Sequence, residues 1–323
     1  MAGPDGPARP VGGLAVRPPA GVELQPAGRD DLVTVLRLLG ERESLAPPLS
    51  PQAGRDRWER IIGSVDASPF LAIAEGEAAG LLLLLFRRRL NFATWEGWVP
   101  ELVVARTFRG RGIGRALLRV AIEEWRLRGA HRLSVETEPM EDGCAAMLTG
   151  LGFEEGLLRF RHDRIAAEGR PPPAGVTLRP IQAADFVAAT RLVAEMGISR
   201  LPAPERMEAL ERSFGELTAR PADVSLVAQE GDRVVGICTL ELREALRTES
   251  PEAWIPELVV TEPARGRGIG AALLDAAMGE ALLRGAQSMT LESGPMREVA
   301  HALYRSRGFH DAGRERLLLR DRA

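Results

Sequence analysis

The feature that most constrains this chain is internal duplication. Trp98-Val99-Pro100-Glu101-Leu102-Val103-Val104 recurs as Trp254-Ile255-Pro256-Glu257-Leu258-Val259-Val260, and Arg109-Gly110-Arg111-Gly112-Ile113-Gly114 recurs as Arg265-Gly266-Arg267-Gly268-Ile269-Gly270, both at a spacing of 156 residues. The same spacing lays Leu127-Arg128-Gly129-Ala130 on Leu283-Arg284-Gly285-Ala286, Glu136 on Glu292, Pro139-Met140 on Pro295-Met296 and Gly152-Phe153 on Gly308-Phe309. From Glu96 to Met140 about half of the positions are identical, without a gap. So long a period describes a whole domain present twice rather than a stacked solenoid repeat. The chain length of 323 residues agrees, since it leaves roughly 150 residues for each copy.

Ala166 to Gly175 reads AAEGRPPPAG, an extended proline-rich spacer with nothing to contribute to a core. It sets the boundaries expected here: a disordered tail over 1–20, a first domain over 21–165, the linker over 166–175 and a second domain over 176–323. Each copy reads as a short strand, a helix, a second helix, a hairpin, a long strand, a Gly-rich turn, a helix, a strand, a short helix and a closing strand. In the second copy these fall at Val176–Arg179, a helix carrying Ala184, Val187, Leu192 and Met196, a helix near Pro204–Leu217, and a hairpin of Val224–Gln229 with Val234–Leu242. Strand Trp254–Thr261, helix Ile269–Leu283, strand Ser288–Glu292, a helix with Ala300, Leu303 and Tyr304, and strand Arg314–Leu319 complete it. The fold class is therefore mixed α/β.

Composition removes several functions. A net charge of -3 offers no global basic field for nucleic acid or an anionic membrane. Aromatic residues make up 5% of the chain, too few for a base-stacking platform. All 42 basic residues are arginine, so no lysine Schiff base or Walker-type lysine is available. Cys144 and Cys238 are too few for a disulfide framework, and the four histidines form no metal-ligand spacing, so no metal is expected. The longest apolar run, Leu81–Phe86, is too short to span a bilayer, and Met1–Pro19 lacks the apolar stretch of a signal peptide. The expectation is a cytoplasmic protein with no membrane partner.

The strand, glycine-rich turn and helix form the unit that carries chemistry. A helix N-terminus presents unbonded N–H groups at the positive end of the dipole, and glycines let backbone approach an anion without a Cβ in the way. Gly110–Gly114 and Gly266–Gly270 should cradle a phosphate or pyrophosphate, with Arg109, Arg111, Arg265 and Arg267 adding charge-assisted bonds. The spacing is wrong for a dinucleotide G-x-G-x-x-G, and no Walker Gly-Lys-Ser/Thr follows.

What these segments resemble is the GNAT N-acetyltransferase superfamily, whose phosphate loop reads Arg/Gln-x-x-Gly-x-Gly/Ala. Arg109-Gly110-Arg111-Gly112-Ile113-Gly114 and Arg265-Gly266-Arg267-Gly268-Ile269-Gly270 both fit that pattern. The Glu-Leu-Val-Val strands before them and the Gly-Phe pairs after them fit as well, so the resemblance covers both copies and describes a tandem member. It implies two GNAT-like domains, each a splayed mixed sheet flanked by helices, with acetyl-CoA as cosubstrate and its pyrophosphate on the loop. It also implies that the pantetheine arm enters the gap and pairs with the backbone of Leu258, Val259 and Val260, or of Leu102, Val103 and Val104. These valines read equally well as an ordinary buried strand.

Acyl transfer to an amine must remove a proton from the amine and supply one to the departing thiol. Tyr304, the one tyrosine of the chain, lies four residues before Gly308 in Tyr-Arg-Ser-Arg-Gly-Phe. This resembles the family's Tyr-x-x-x-Gly-Phe site for the thiol's proton donor, although a tyrosine there could simply pack its helix. Its counterpart in the first copy is Leu148, which cannot donate, so the second copy is the better catalyst and the first is expected to be weaker or non-catalytic. Glu257, and Glu101 in the first copy, are candidate bases, with Glu292 and Glu136 as second candidates. Trp254 and Trp98 read as core, interface or a wall of the acceptor pocket. The family often carries Asn seven residues before the tyrosine, and here Arg297 and Glu141 stand there. The resulting expectation is transfer from acetyl-CoA to a small-molecule amine acceptor. The alternatives are an acetyl-CoA-binding scaffold without turnover and a protein N-acetyltransferase.

Overall fold

A computed structural model of the chain describes residues 16–41, 49–90, 92–137, 142–166, 169, 171–196, 204–219, 224–244, 246 and 248–319. Pro139, Met140 and Glu141, and most of the expected N-terminal tail, lie outside the described residues.

The first half runs β1 (Val22–Pro26), α1 (Leu32–Leu39), α2 (Pro51–Gly63), β2 (Ala67–Ala74), β3 (Glu77–Arg87), β4 (Glu96–Val104), α3 (Ile113–Leu127), β5 (Arg132–Thr137), α4 (Asp142–Thr149) and β6 (Glu154–His162). The second runs β7 (Val176–Pro180), α5 (Phe186–Ala194), α6 (Pro204–Thr218), β8 (Leu226–Glu230), β9 (Arg233–Cys238), β10 (Glu241–Arg243), β11 (Glu252–Ile255), β12 (Leu258–Val260), α7 (Ile269–Leu283), β13 (Ser288–Ser293), α8 (Glu298–Ser306) and β14 (His310–Leu319). The long strands expected at 234–242 and 254–261 are each divided in two, because the sheet opens between their halves. Ser50 caps α2 by accepting from the Ala53 amide at 3.3 Å, with Pro51 in the first helical turn, where its missing N–H costs nothing.

Each half is a mixed sheet with helices packed on it, and the first and second halves bury separate apolar clusters. Helices α3 and α7 lie close against their sheets, and glycine makes this possible. A Cβ on Gly80 would meet Leu117 Cδ1 at 3.0 Å and the Val103 carbonyl at 3.1 Å, and one on Gly236 would meet Leu273 Cδ1 at 3.0 Å and the Val259 carbonyl at 3.2 Å.

Sheet order departs from chain order where the halves meet. The ten-stranded sheet runs β1-β2-β3-β4-β5-β14-β6-β13-β11-β10, and a second sheet runs β12-β9-β8-β7. The closing strand of the second half, β14, pairs with β5 of the first, and β6 of the first half pairs with β13 of the second. β6 and β14 also pair with each other, antiparallel. The two halves have thus exchanged their last strands. Phe160 on β6 is completely buried in the second half's cluster, with its ring 5.4 Å from that of Tyr304.

The loops after β3 and β10 are exchanged in the same manner. Leu90 of the first half is buried with Phe186, Leu210, Phe214, Ile237 and Val259 of the second. Leu246, 156 residues later, is buried in the first half's cluster.

Candidate active site

Both sheets split at the same point. β4 pairs in parallel with β5 only from Glu96 to Val99, whereas Glu101 to Val104 pair only with β3. β11 pairs with β13 from Glu252 to Ile255, and Leu258 to Val260 pair only with β9. Leu102–Val104 and Leu258–Val260 therefore each turn one backbone edge toward a gap. Pro100 and Pro256 mark the division, since proline lacks a ladder donor and stops pairing on that side.

The glycine-rich segments follow these strands and lead into α3 and α7. Gly110, Gly112, Gly266 and Gly268 have φ of 78°, 79°, 75° and 84°, a left-handed conformation that glycine adopts without steric cost. Gly112 and Gly268 cap α3 and α7, so no side chain bonds the first-turn N–H groups. Space for a Cβ on Gly110 and Gly266 is open. This backbone fits an anion. The arginines are turned elsewhere: Arg109 Nε donates to the Val104 carbonyl at 3.1 Å and Arg265 Nε to the Val260 carbonyl at 2.9 Å, while Arg267 pairs with Glu230 at 2.6 Å and Arg111 with Glu75. Ile113 and Ile269 are buried against their sheets, and Gly114 and Gly270 lie on the helix side of Val104 and Val260.

In the second half Glu257 is 3% exposed. Its Oε2 accepts from Thr239 Oγ1 at 2.6 Å and its amide donates to the same oxygen at 2.9 Å, but Oε1 has no hydrogen-bond partner among the described residues. Burial raises the Glu257 carboxyl above its ordinary value, against the opposing charge of Arg89, the bond from Thr239 and the Leu90 amide, which lies near the carboxyl without forming a well-aligned bond to Oε1. A shallow depression, with room for little more than a water molecule, is lined by Glu257 with Pro256, Thr239, Glu241, Ser225, Leu240, Leu217 and Arg88.

Tyr304 is buried at 6% exposure, and burial pushes its hydroxyl up to about 12, so it is protonated at neutral pH. Ser293 and Arg297 lie near enough to act on it. Burial and the charge of Glu257 raise the thiol of Cys238, opposite Leu258 across the ladder, and Cys238 in turn lies near enough to raise Tyr304. Arg297 donates to the Met196 carbonyl. In the first half Leu148 is wholly buried in the core, and Glu101 is buried on β4.

The second candidate carboxylates are occupied. Glu292 accepts from Trp254 Nε1 at 2.8 Å and from Arg89 NH2 at 3.4 Å, and Glu136 accepts from Trp98 Nε1 at 2.8 Å. Burial alone would raise Glu292, but Arg87, Arg89 and Arg243 outweigh it and hold the carboxylate below its ordinary value. Trp98 and Trp254 belong to the junction of the halves, with the Arg243 guanidinium 4.1 and 3.5 Å from their ring centres. Arg87, Arg89 and Arg243 were not anticipated from the sequence. The signal was there as Arg87-Arg88-Arg89-Leu90 against Arg243-Glu244-Ala245-Leu246 at the common spacing.

A split mixed sheet with a glycine-lined helix mouth at the gap, present twice, defines a class, and comparison with known proteins agrees. The sequence profile of the acetyltransferase (GNAT) family matches residues 36–153 and 192–309, so the chain belongs to that family. It is 27% identical over 295 residues to a mycothiol acetyltransferase of Clavibacter michiganensis, covering 87% of this chain and 89% of that one. It is 31% identical over 138 residues to an aminoalkylphosphonate N-acetyltransferase of Salmonella typhimurium, covering 43% of this chain and 88% of the relative. In fold it is similar to a tandem GNAT protein from the clavulanic acid biosynthesis pathway, with a TM-score of 0.58, 18% identity and coverage of 94% and 99% of the two chains.

Proposed function

We propose that the protein transfers an acetyl group from acetyl-CoA to the amine of a small molecule, and that the second half carries the reaction. The observation that carries this reading is the half-bonded, buried carboxyl of Glu257 at the mouth of the gap, with the protonated Tyr304 hydroxyl on the same half. The first half has no such hydroxyl, since Leu148 stands there. Acetyl-CoA would supply the acetyl group as a thioester, with the Gly266–Gly270 backbone holding its diphosphate and Leu258–Val260 offering ladder bonds to its arm.

Glu257 receives the proton that the incoming ammonium must lose, and its raised affinity for a proton makes it a stronger base than a solvated carboxylate. Tyr304 holds a proton for the sulfur released when the carbon–sulfur bond gives way to the carbon–nitrogen bond. Small-molecule acceptors are supported by the named relatives. The assay is thiol release from acetyl-CoA across a panel of amines. Tyr304→Phe keeps the ring and loses the donor, so kcat should fall roughly a hundredfold or more with the KM for acetyl-CoA little changed. Equal kcat in the two proteins would remove Tyr304 from the reaction, and no release with any amine would leave the binding-protein reading.

A further inference from the structure

Arg89 belongs to the first half by sequence, but its side chain ends in the second. It is 6% exposed. Nε donates to Glu96 Oε2 at 2.7 Å, NH2 to Glu292 Oε2 at 3.4 Å and NH1 to the Pro256 carbonyl at 3.0 Å. The last bond matters most, because Pro256 is the residue at which β11 leaves β13 and its carbonyl precedes Glu257. The backbone around Arg89 is itself fixed: Leu90 is buried among second-half side chains, and Arg88 bonds to Ser213 Oγ at 3.1 Å on α6. The position 156 residues later is Ala245, so the second half cannot return this contact to the first.

We infer that Arg89 is a positioning residue for Glu257, supplied by the first half to complete the acceptor site of the second. This rests on the reading of Glu257 as the base. A base acts only within hydrogen-bond reach of its proton, and a planar guanidinium bonded to three acceptors holds the Pro256–Glu257 turn where a water or a lysine would not. Several charged or titratable groups face Glu257. They are Arg88 and Arg89 from the segment after β3, Glu96 from β4, Cys238 from β9 and Glu241 from β10, and α6 presents the apolar Leu217. Arg89 is the cation that most opposes the effect of burial on that carboxyl.

The test uses the full chain with Arg89→Gln and Arg89→Lys, each checked for native circular dichroism. Arg89→Gln should lower kcat roughly ten- to a hundredfold, the cost of a small displacement of a catalytic group. The KM for acetyl-CoA should stay unchanged while the acid limb of the kcat/KM profile moves to higher pH. Arg89→Lys should return the limb to its wild-type position but not restore kcat. An unmoved limb with wild-type kcat in Arg89→Gln overturns the inference.

Should Arg89→Gln not fold, Arg89→Lys decides by kcat alone, and wild-type turnover there overturns it equally. Infrared titration of the protonated carboxyl band that disappears in Glu257→Gln provides a readout independent of turnover. If the wild-type chain releases no thiol with any amine, the acetyltransferase reading fails by itself. The infrared midpoint, higher in Arg89→Gln if Arg89 acts on Glu257 and unmoved if it does not, still decides the role of Arg89.

Discussion

Glu257 and Glu292 are both buried carboxyls of the second half, and they shift in opposite directions. Burial favours the neutral form of each, but Glu292 meets three guanidinium groups while Glu257 meets chiefly Arg89. The consequences for stability are therefore opposite in sign. A carboxyl that binds its proton more tightly when folded withdraws stability as pH rises from its unfolded value through its raised folded value, because the folded state must release a proton it prefers to keep. Glu292 and Glu96, held low by their arginines, contribute stability above the unfolded value and lose it as pH falls through the folded one. Glu257→Gln should accordingly make the protein more resistant to urea at pH 7 than the wild type, with the difference vanishing in acid. A variant less stable than wild type at pH 7 would show that the carboxylate is better satisfied than its unpaired Oε1 indicates. At this scale Tyr304 and Glu257 could be singled out as candidates because each sits in a short motif. Their burial was not legible there, since Phe160 and Leu90, which cover them, come from the other half.

Among the elements, the backbone of the glycine-rich turn was legible, because local chemistry determines it and the same six residues give the same left-handed glycines in both copies, but the course of its arginines was not. Gly268→Ala tests how much rests on that conformation. A Cβ at φ of 84° strains the turn by roughly 1–2 kcal/mol, which urea unfolding would register. It also stiffens the mouth where the diphosphate would sit, so the KM for acetyl-CoA should rise more than kcat falls. A stability loss with unchanged KM would remove the loop from cofactor binding. The splitting of the expected strands at 234–242 and 254–261 was less legible. Trp-x-Pro-Glu-Leu-Val-Val is shared by both copies, yet β4 runs unbroken and β11–β12 does not. What differs is the partner: β3 continues beside β4 with one irregularity, whereas β9 ends at Cys238 and β10 restarts at Glu241. A neighbour's course is a tertiary property that no window of local sequence contains.

For the whole molecule, the duplication announced two similar halves but not how they join. The hydrophobic pattern of a closing strand states which face is buried and is silent about which copy it lies beside, so β6 and β14 read as ordinary last strands. In the folded chain β5 and β6 are separated by β14, and β14 and β13 by β6. Removing either half would leave the other with a strand-wide slot between two unpaired edges, the kind of surface that recruits another chain. The halves are held further by Leu90 and Leu246, by the Arg89 bonds to Glu292 and Pro256, and by the Arg60–Glu244 pair at 2.7 Å. The connecting segment from 166 to 173 is thus not what keeps them together. A single engineered protease cut there should leave one body of unchanged hydrodynamic size, with thiol release retained. The fragment 1–165 expressed alone should associate or precipitate until 166–323 is added during refolding. Light scattering on the eluting peak distinguishes the outcomes. Two separate monomers after the cut would mean that the exchanged strands contribute little, and that the second half assembles its acceptor site without help from the first.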